Sequence, residues 1–162
     1  MDGTVVAAAG VRALAVARRY LGVRESPPGS NRTPFGAWYG ENGVPWCAIF
    51  VSYCFEQGAG VVLGRGHRGA TARGVASVIV LEDWLRDSGQ WWEGGEPERG
   101  DLALFNWDGG VPDHVGIVER RLPGGRFATI EGNTAIGNDS NGGEVMRRIR
   151  RLSSVDGFGR LP

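Results

Sequence analysis

Residues 42–57 read NGVPWCAIFVSYCFEQ. Gly43 and Pro45 mark a loop, and from position 47 the pattern changes: Ile49, Phe50, Tyr53 and Cys54 form one broad apolar face, predicting a helix over 47–57 that Gly58 and Gly60 end. A cysteine opens that helix and a second follows seven residues later. Four uses of a thiol compete there: disulfide, metal ligand, buried filler and nucleophile.

Outward from this helix the chain falls into two halves. On its N-terminal side, Val11, Leu14, Ala15 and Leu21 with arginines between them predict an amphipathic helix from about Val5 to Leu21, closed by Gly22. A breaker-rich loop, 22–45, then holds one helical turn near Phe35 to Tyr39. On the C-terminal side, the loop GRGHRGATARG (64–74) leads to a helix near Val75 to Asp87. Strands are predicted after Trp91, at 101–105, 114–121, 126–132 and 144–152, with Gly-rich turns between them. Helices first and strands second predict an α+β fold with N-terminal helices packed on one face of a C-terminal antiparallel sheet.

The 162 residues, 41% of them hydrophobic, suit one domain with a real core, and no internal repeat is visible. Formal charge is zero, which gives no global field for nucleic acid. All 18 basic residues are Arg. The first twenty residues carry Asp2 and arginines at 12, 18 and 19, a poor signal peptide and no membrane span. The expectation is a chain not exported by the general secretory route.

Within one helix, residues 47 and 54 would be about 10 Å apart, beyond the roughly 7 Å that a disulfide bridges. A zinc site needs three or four ligands at set spacings, and the chain offers only Cys47, Cys54, His67 and His114, with no paired motif. Cys54, mid-helix between Tyr53 and Phe55, reads as a buried filler. Cys47 sits in a first helical turn, where unpaired N–H groups and the positive end of the dipole favour a thiolate. A nucleophile also needs a base and an orienting group. His67 lies in a flexible loop and reads as solvated, whereas His114 opens a strand that fixes its ring. In a hairpin turning at 122–125, position 114 falls opposite about 133, with 131 on the same face. That face carries Glu131 and Asn133, either able to take the imidazole N–H and fix the tautomer; alone, each would read as an ordinary strand-end or turn residue.

VPWCAIFVSYCFEQ, PERGDLALFNW, DHVGIVER and FATIEGNT, in this order, resemble the CHAP domain, a family of cysteine- and histidine-dependent amidohydrolases and peptidases with a papain-like fold related to NlpC-type wall peptidases. ESPPGSNRTPFGAWYG (25–40) resembles the segment before the nucleophile in phage endolysins. The resemblance runs from about Val11 to Leu152. It implies hydrolysis of an amide bond in peptidoglycan, either as an N-acetylmuramoyl-L-alanine amidase or as a stem or cross-bridge endopeptidase. Cys47 would be the nucleophile, His114 the base and then acid, and Glu131 and Asn133 the groups that orient the imidazole. The Cys47 backbone N–H would contribute to the oxyanion hole.

Two departures from the family pattern stand out. Its PGD is ERGD here (98–101), and GENGVP (40–45) lacks the Asp-rich loop through which some relatives hold calcium, so no metal or cofactor is carried over. At this length no separate wall-binding domain is expected, which implies a monomeric single-domain lysin or the catalytic part of a larger one. Such a lysin would be made in a host cytoplasm and released through a holin to act at the wall, with no membrane partner. Trp46 and Trp107, in loops expected to flank the cleft, are candidate substrate contacts. Arginines 147, 148, 150 and 151 read either as a face that adheres to anionic wall polymers or as a solvated edge strand guarded by charge. Two rival functions remain: a papain-like toxin or protein-modifying hydrolase, and a non-catalytic wall-binding module, which would have no use for the Cys47, His114 and Glu131 set.

Overall fold

A computed structural model describes residues 7–162. Four helices, α1 (Ala9–Arg19), α2 (Pro34–Tyr39), α3 (Cys47–Ala59) and α4 (Val78–Asp87), precede six strands. The strands are β1 (Trp91–Trp92), β2 (Leu102–Phe105), β3 (His114–Leu122), β4 (Arg126–Thr134), β5 (Glu144–Arg151) and β6 (Val155–Gly159). They form one antiparallel sheet in the order β1-β6-β2-β3-β4-β5. The α+β reading is therefore correct. Val5 and Val6, placed in the first helix from sequence, lie outside the described residues.

Local chemistry sets the helix ends. The Thr33 hydroxyl accepts from Gly36 N at 3.1 Å to start α2, with Pro34 at the first position, and Ser77 does the same for α4. α1 buries Ala9, Gly10, Ala13, Leu14, Val16 and Ala17, and its small residues allow close contact with α3. α1 and α3 pack on β3 and β4, α4 packs beside β1, and α2 packs on α3. The core between the layers includes Phe35, Trp46, Phe50, Phe55, Leu102, Leu104, Val115, Ile117 and Ile130. A second, smaller cluster of Ala103, Phe105, Val118, Phe127 and Phe158 lies on the other face. Strand alternation assigns His114 and Gly116 to the side of that second cluster, away from Val115 and Ile117.

The sequence reading missed β6. Its VDGFG lacks the alternating apolar signature, because both glycines are places where side chains fill the space: a β-carbon on Gly157 would meet the Trp91 ring, and one on Gly159 would meet Leu85. β6 also carries Phe158 into the second cluster. The ERGD turn is held by Asp101, which accepts from Glu98 N at 2.8 Å and takes both arms of the Arg160 guanidinium at 2.8 and 2.9 Å. Among the described residues no helix is long and apolar enough to cross a membrane.

Candidate active site

Cys47 is the first residue of α3 and only 4% exposed. Its placement follows from the residue before it. Trp46 stacks on Phe35, meets Phe50 edge to face, and donates from Nε1 to Glu25 Oε2 at 3.2 Å. A β-carbon on Gly132 would lie 2.7 Å from Phe50 Cβ and 2.8 Å from the Trp46 ring, so only glycine lets β4 approach the first turn of α3 this closely. Trp46 is 1% exposed, which corrects its reading as a wall of the cleft: the ring is a core anchor for the turn that carries the thiol. Both cysteines are free, and Cys54 is fully buried, its thiol pKa pushed up by that burial.

His114 opens β3 opposite Phe105 and has no exposed surface. Its Nε2 bonds Glu131 Oε1 at 2.8 Å, while Nδ1 is buried with no hydrogen-bond partner. With Nε2 occupied, Nδ1 is the nitrogen left for Cys47, which is near enough to raise the histidine's pKa. Burial of the ring opposes its charge, but Glu131 and then Cys47 outweigh that, and the pKa rises to about 9.

The hairpin that joins His114 to Glu131 turns at Pro123, Gly124 and Gly125, pairing Leu122 with Arg126. That start is one residue off the sequence-based register. A bulge between Val118 and Arg120 absorbs the difference, so Ile117 pairs with Ile130, as a turn at 122–125 requires. The bulged residue, Glu119, is held by Arg147 at 2.6 and 3.0 Å and by Arg18 of α1 at 2.8 Å, and this pairing lowers its pKa to about 2 against some burial.

Glu131 has four hydrogen bonds. Besides His114 it accepts from Thr129 Oγ1 at 2.6 Å and from Arg150 through Nε at 2.8 Å and Nη2 at 2.5 Å. Burial alone would raise its pKa; Arg150 and His114 reverse that and bring it to about 2. Arg150 is the residue the sequence reading missed. It was read as one of a basic run, yet it is 6% exposed, and its guanidinium centre lies 4.9 Å from the Trp107 ring and 5.4 Å from the Phe105 ring. The available signal was parity: Phe127, Thr129 and Glu131 share a face with Met146, Arg148 and Arg150 across the β4–β5 register. β5 is an edge strand, as one reading had it, but Arg147, Arg148 and Arg150 are engaged in ion pairs.

Asn133 is not hydrogen-bonded to His114. Its φ is +59°, and the β4–β5 register shifts between Glu131 and Thr134, which aims the side chain at the following loop. Oδ1 accepts from Gly143 N at 3.2 Å, and Nδ2 donates to Asn141 Oδ1 at 3.1 Å. Trp107, 39% exposed, stacks on Phe105 and lies 5.8 Å from the His114 ring, a half-open roof over the site. His67 pairs loosely with Asp87 at 3.7 Å, outside this constellation. Among the described residues no group of three or more His, Cys, Asp or Glu is gathered for a metal.

The sequence model of one family, the CHAP domain, matches residues 38–133, a stretch that contains Cys47, His114, Glu131 and Asn133. No curated protein matches the chain. Among solved structures, that of Ly7917 with the hydrolysing product of MDP is 19% identical with a TM-score of 0.56, and it is covered over 63% of its length by 94% of this chain. A structure of Ly7917 alone gives 20% identity, a TM-score of 0.53 and coverage of 62% and 94% respectively. The chain thus spans under two thirds of those proteins and shares their fold.

Proposed function

The chain belongs to the CHAP domain family, and on that premise we propose that it hydrolyses an amide bond of bacterial peptidoglycan with Cys47 as nucleophile. The observation that carries this is the polarity of His114: one ring nitrogen is committed to a buried carboxylate and the other is unpartnered on the side of a helix-opening thiol. The structure of Ly7917 with the hydrolysing product of MDP supports hydrolysis as the type of reaction.

In this reading His114 Nδ1 takes the proton from Cys47 Sγ, and the thiolate attacks the carbonyl carbon. The oxyanion that forms is met by backbone N–H groups at the start of α3, that of Cys47 among them, which have no partner within the helix. His114 then gives its proton to the amide nitrogen, the C–N bond breaks, and the amine leaves a thioester on Cys47. Water attacks the thioester as His114 accepts one of its protons. The C–S bond breaks, the carboxylic acid departs, and the proton returns to sulfur. A histidine pKa of about 9 suits this cycle, because the imidazole is basic enough to hold the thiol's proton until the amine needs it. Glu131 stays ionised throughout and fixes the tautomer, Asn133 supports the site through the loop it pins, and Trp107 offers a ring face to sugar or peptide. The enzyme acts as a phage endolysin or the catalytic part of one.

Mass spectrometry of fragments released from purified peptidoglycan tests this. New amino and carboxyl termini that vanish with Cys47→Ala are expected, and their identity names the amidase or endopeptidase bond. Equal release by Cys47→Ala would overturn the reading.

A further inference from the structure

We propose that Arg150 is a positioning residue of this centre, whose guanidinium fork holds Glu131 ionised and unable to rotate, so that His114 keeps one nitrogen turned to Cys47. The inference rests on the catalytic reading of Cys47, His114 and Glu131. It concerns a residue outside the stretch matched by the family, which ends at Asn133.

The geometry is that of a planar fork on a carboxylate: Nε to Oε2 at 2.8 Å and Nη2 to Oε1 at 2.5 Å. Oε1 also faces His114 Nε2, and Oε2 also takes the Thr129 hydroxyl, so both oxygens are held from two directions. The fork is itself fixed. Asp139 Oδ1 accepts from Nη1 at 2.8 Å, and the rings of Phe105 and Trp107 lie beside the guanidinium. The charged groups around Glu131 are His114 from β3, Arg150 from β5 and, behind Arg150, Asp139 of the β4–β5 loop, which Arg148 also binds; Cys47 of α3 faces His114. Removing the Arg150 charge leaves a fully buried carboxylate with His114 as its one cationic partner, and burial then favours its neutral form. A neutral Glu131 no longer enforces the tautomer.

The test compares the parent with Arg150→Gln and Arg150→Lys. The readouts are carbon NMR of the Glu131 carboxyl, NMR of the His114 ring (the chain has only two histidines) and the pH profile of Cys47 alkylation by iodoacetamide. In Arg150→Gln the Glu131 titration should rise by about 1–3 units, and the acid limb of alkylation should rise with it. Arg150→Lys restores the charge without the fork and should give a smaller shift of both. A folded Arg150→Gln with the parent's Glu131 titration and alkylation profile would overturn the proposal. Should Arg150→Gln not fold, Arg150→Lys decides: a parental alkylation profile overturns the role of the fork, and a shifted one supports it. None of the three readouts uses a wall substrate, so a parent that hydrolyses no peptidoglycan sinks the substrate reading and leaves this result to be judged alone.

Discussion

Gly116 and Glu131 occupy adjacent strands so closely that a β-carbon at 116 would lie 2.5 Å from Glu131 Cγ and 3.3 Å from Oε2. The empty position beside His114 is where the carboxylate stem passes. Gly116→Ala is therefore expected to push Glu131 off His114 while the rest of the sheet survives. Displacements of about 1 Å in a catalytic group cost on the order of 100-fold, so kcat/KM should fall by about that factor with near-parental circular dichroism. Undiminished activity would mean that Glu131 can move without consequence.

The pH dependence of stability follows from the same pair. His114 is raised from 6.5 to about 9 in the fold, so its contribution is complete below 6.5 and is lost as pH rises through 9. Glu131 is lowered from 4.5 to about 2, so its contribution is complete above 4.5 and is lost as pH falls toward 2. The two share one ion pair and do not add. Stability should plateau between these limits and fall by up to about 3 kcal/mol on the alkaline side. Urea unfolding at a series of pH values checks this, with the alkaline loss expected to be smaller in His114→Gln.

The two cysteines should separate cleanly in a native alkylation experiment. Iodoacetamide is expected to modify Cys47 and spare Cys54, which lies in the core with no exposed surface. Cys54→Ala should keep the parental rate of hydrolysis at a stability cost of about 1 kcal/mol, whereas Cys47→Ala should lose activity and keep stability. Peptide mass mapping after alkylation, with thermal melts of both variants, gives the answer.

Asn133 allows a distinction between backbone and side chain. Its left-handed φ costs a β-carbon-bearing residue about 1–2 kcal/mol, and the Asn amide offsets part of that locally. Asn133→Gly keeps the backbone and loses only the side-chain bonds, to Asn141, Gly143 and the Ser140 carbonyl, while Asn133→Ala loses those bonds and also leaves a β-carbon at the left-handed φ. Stability should thus fall further in the Ala variant, and in both variants hydrogen exchange should quicken at the Gly143 amide. An Ala variant as stable as the Gly variant would show that φ is not under strain there.

What the sequence disclosed was periodic or local. A proline-tryptophan pair before an apolar run located the start of α3, and alternation in HVGIV fixed which face His114 takes. Counting back from the Gly-rich turn brought Glu131 to His114, aided by a bulge that compensates the longer turn. The hidden features depend on contacts between distant segments. Trp46 looked like a loop aromatic because its burial comes largely from Phe35 of α2 and from a glycine in β4, with Phe50 one turn along its own helix closing the pocket. VDGFG shows no strand signal in sequence, because Trp91 and Leu85 fill the space above its glycines. Arg150 sits in a run whose charge suggests solvent, and ion pairs with Glu131 and Asp139 reverse that meaning. Asn133 lies in the expected place, but one backbone angle redirects its amide.

Cys47 comes from the helical half of the chain, whereas His114, Glu131 and Arg150 come from three successive strands of the other half. During synthesis Cys47 emerges long before His114, and Arg150 arrives last of the four. On the proposed mechanism, a ribosome-bound fragment ending before β5 should hold the cysteine in an unarmed state. Arming then waits for β3, β4 and β5 to pair, so the appearance of a fast-reacting thiol should serve as a clock for a late, long-range step of folding.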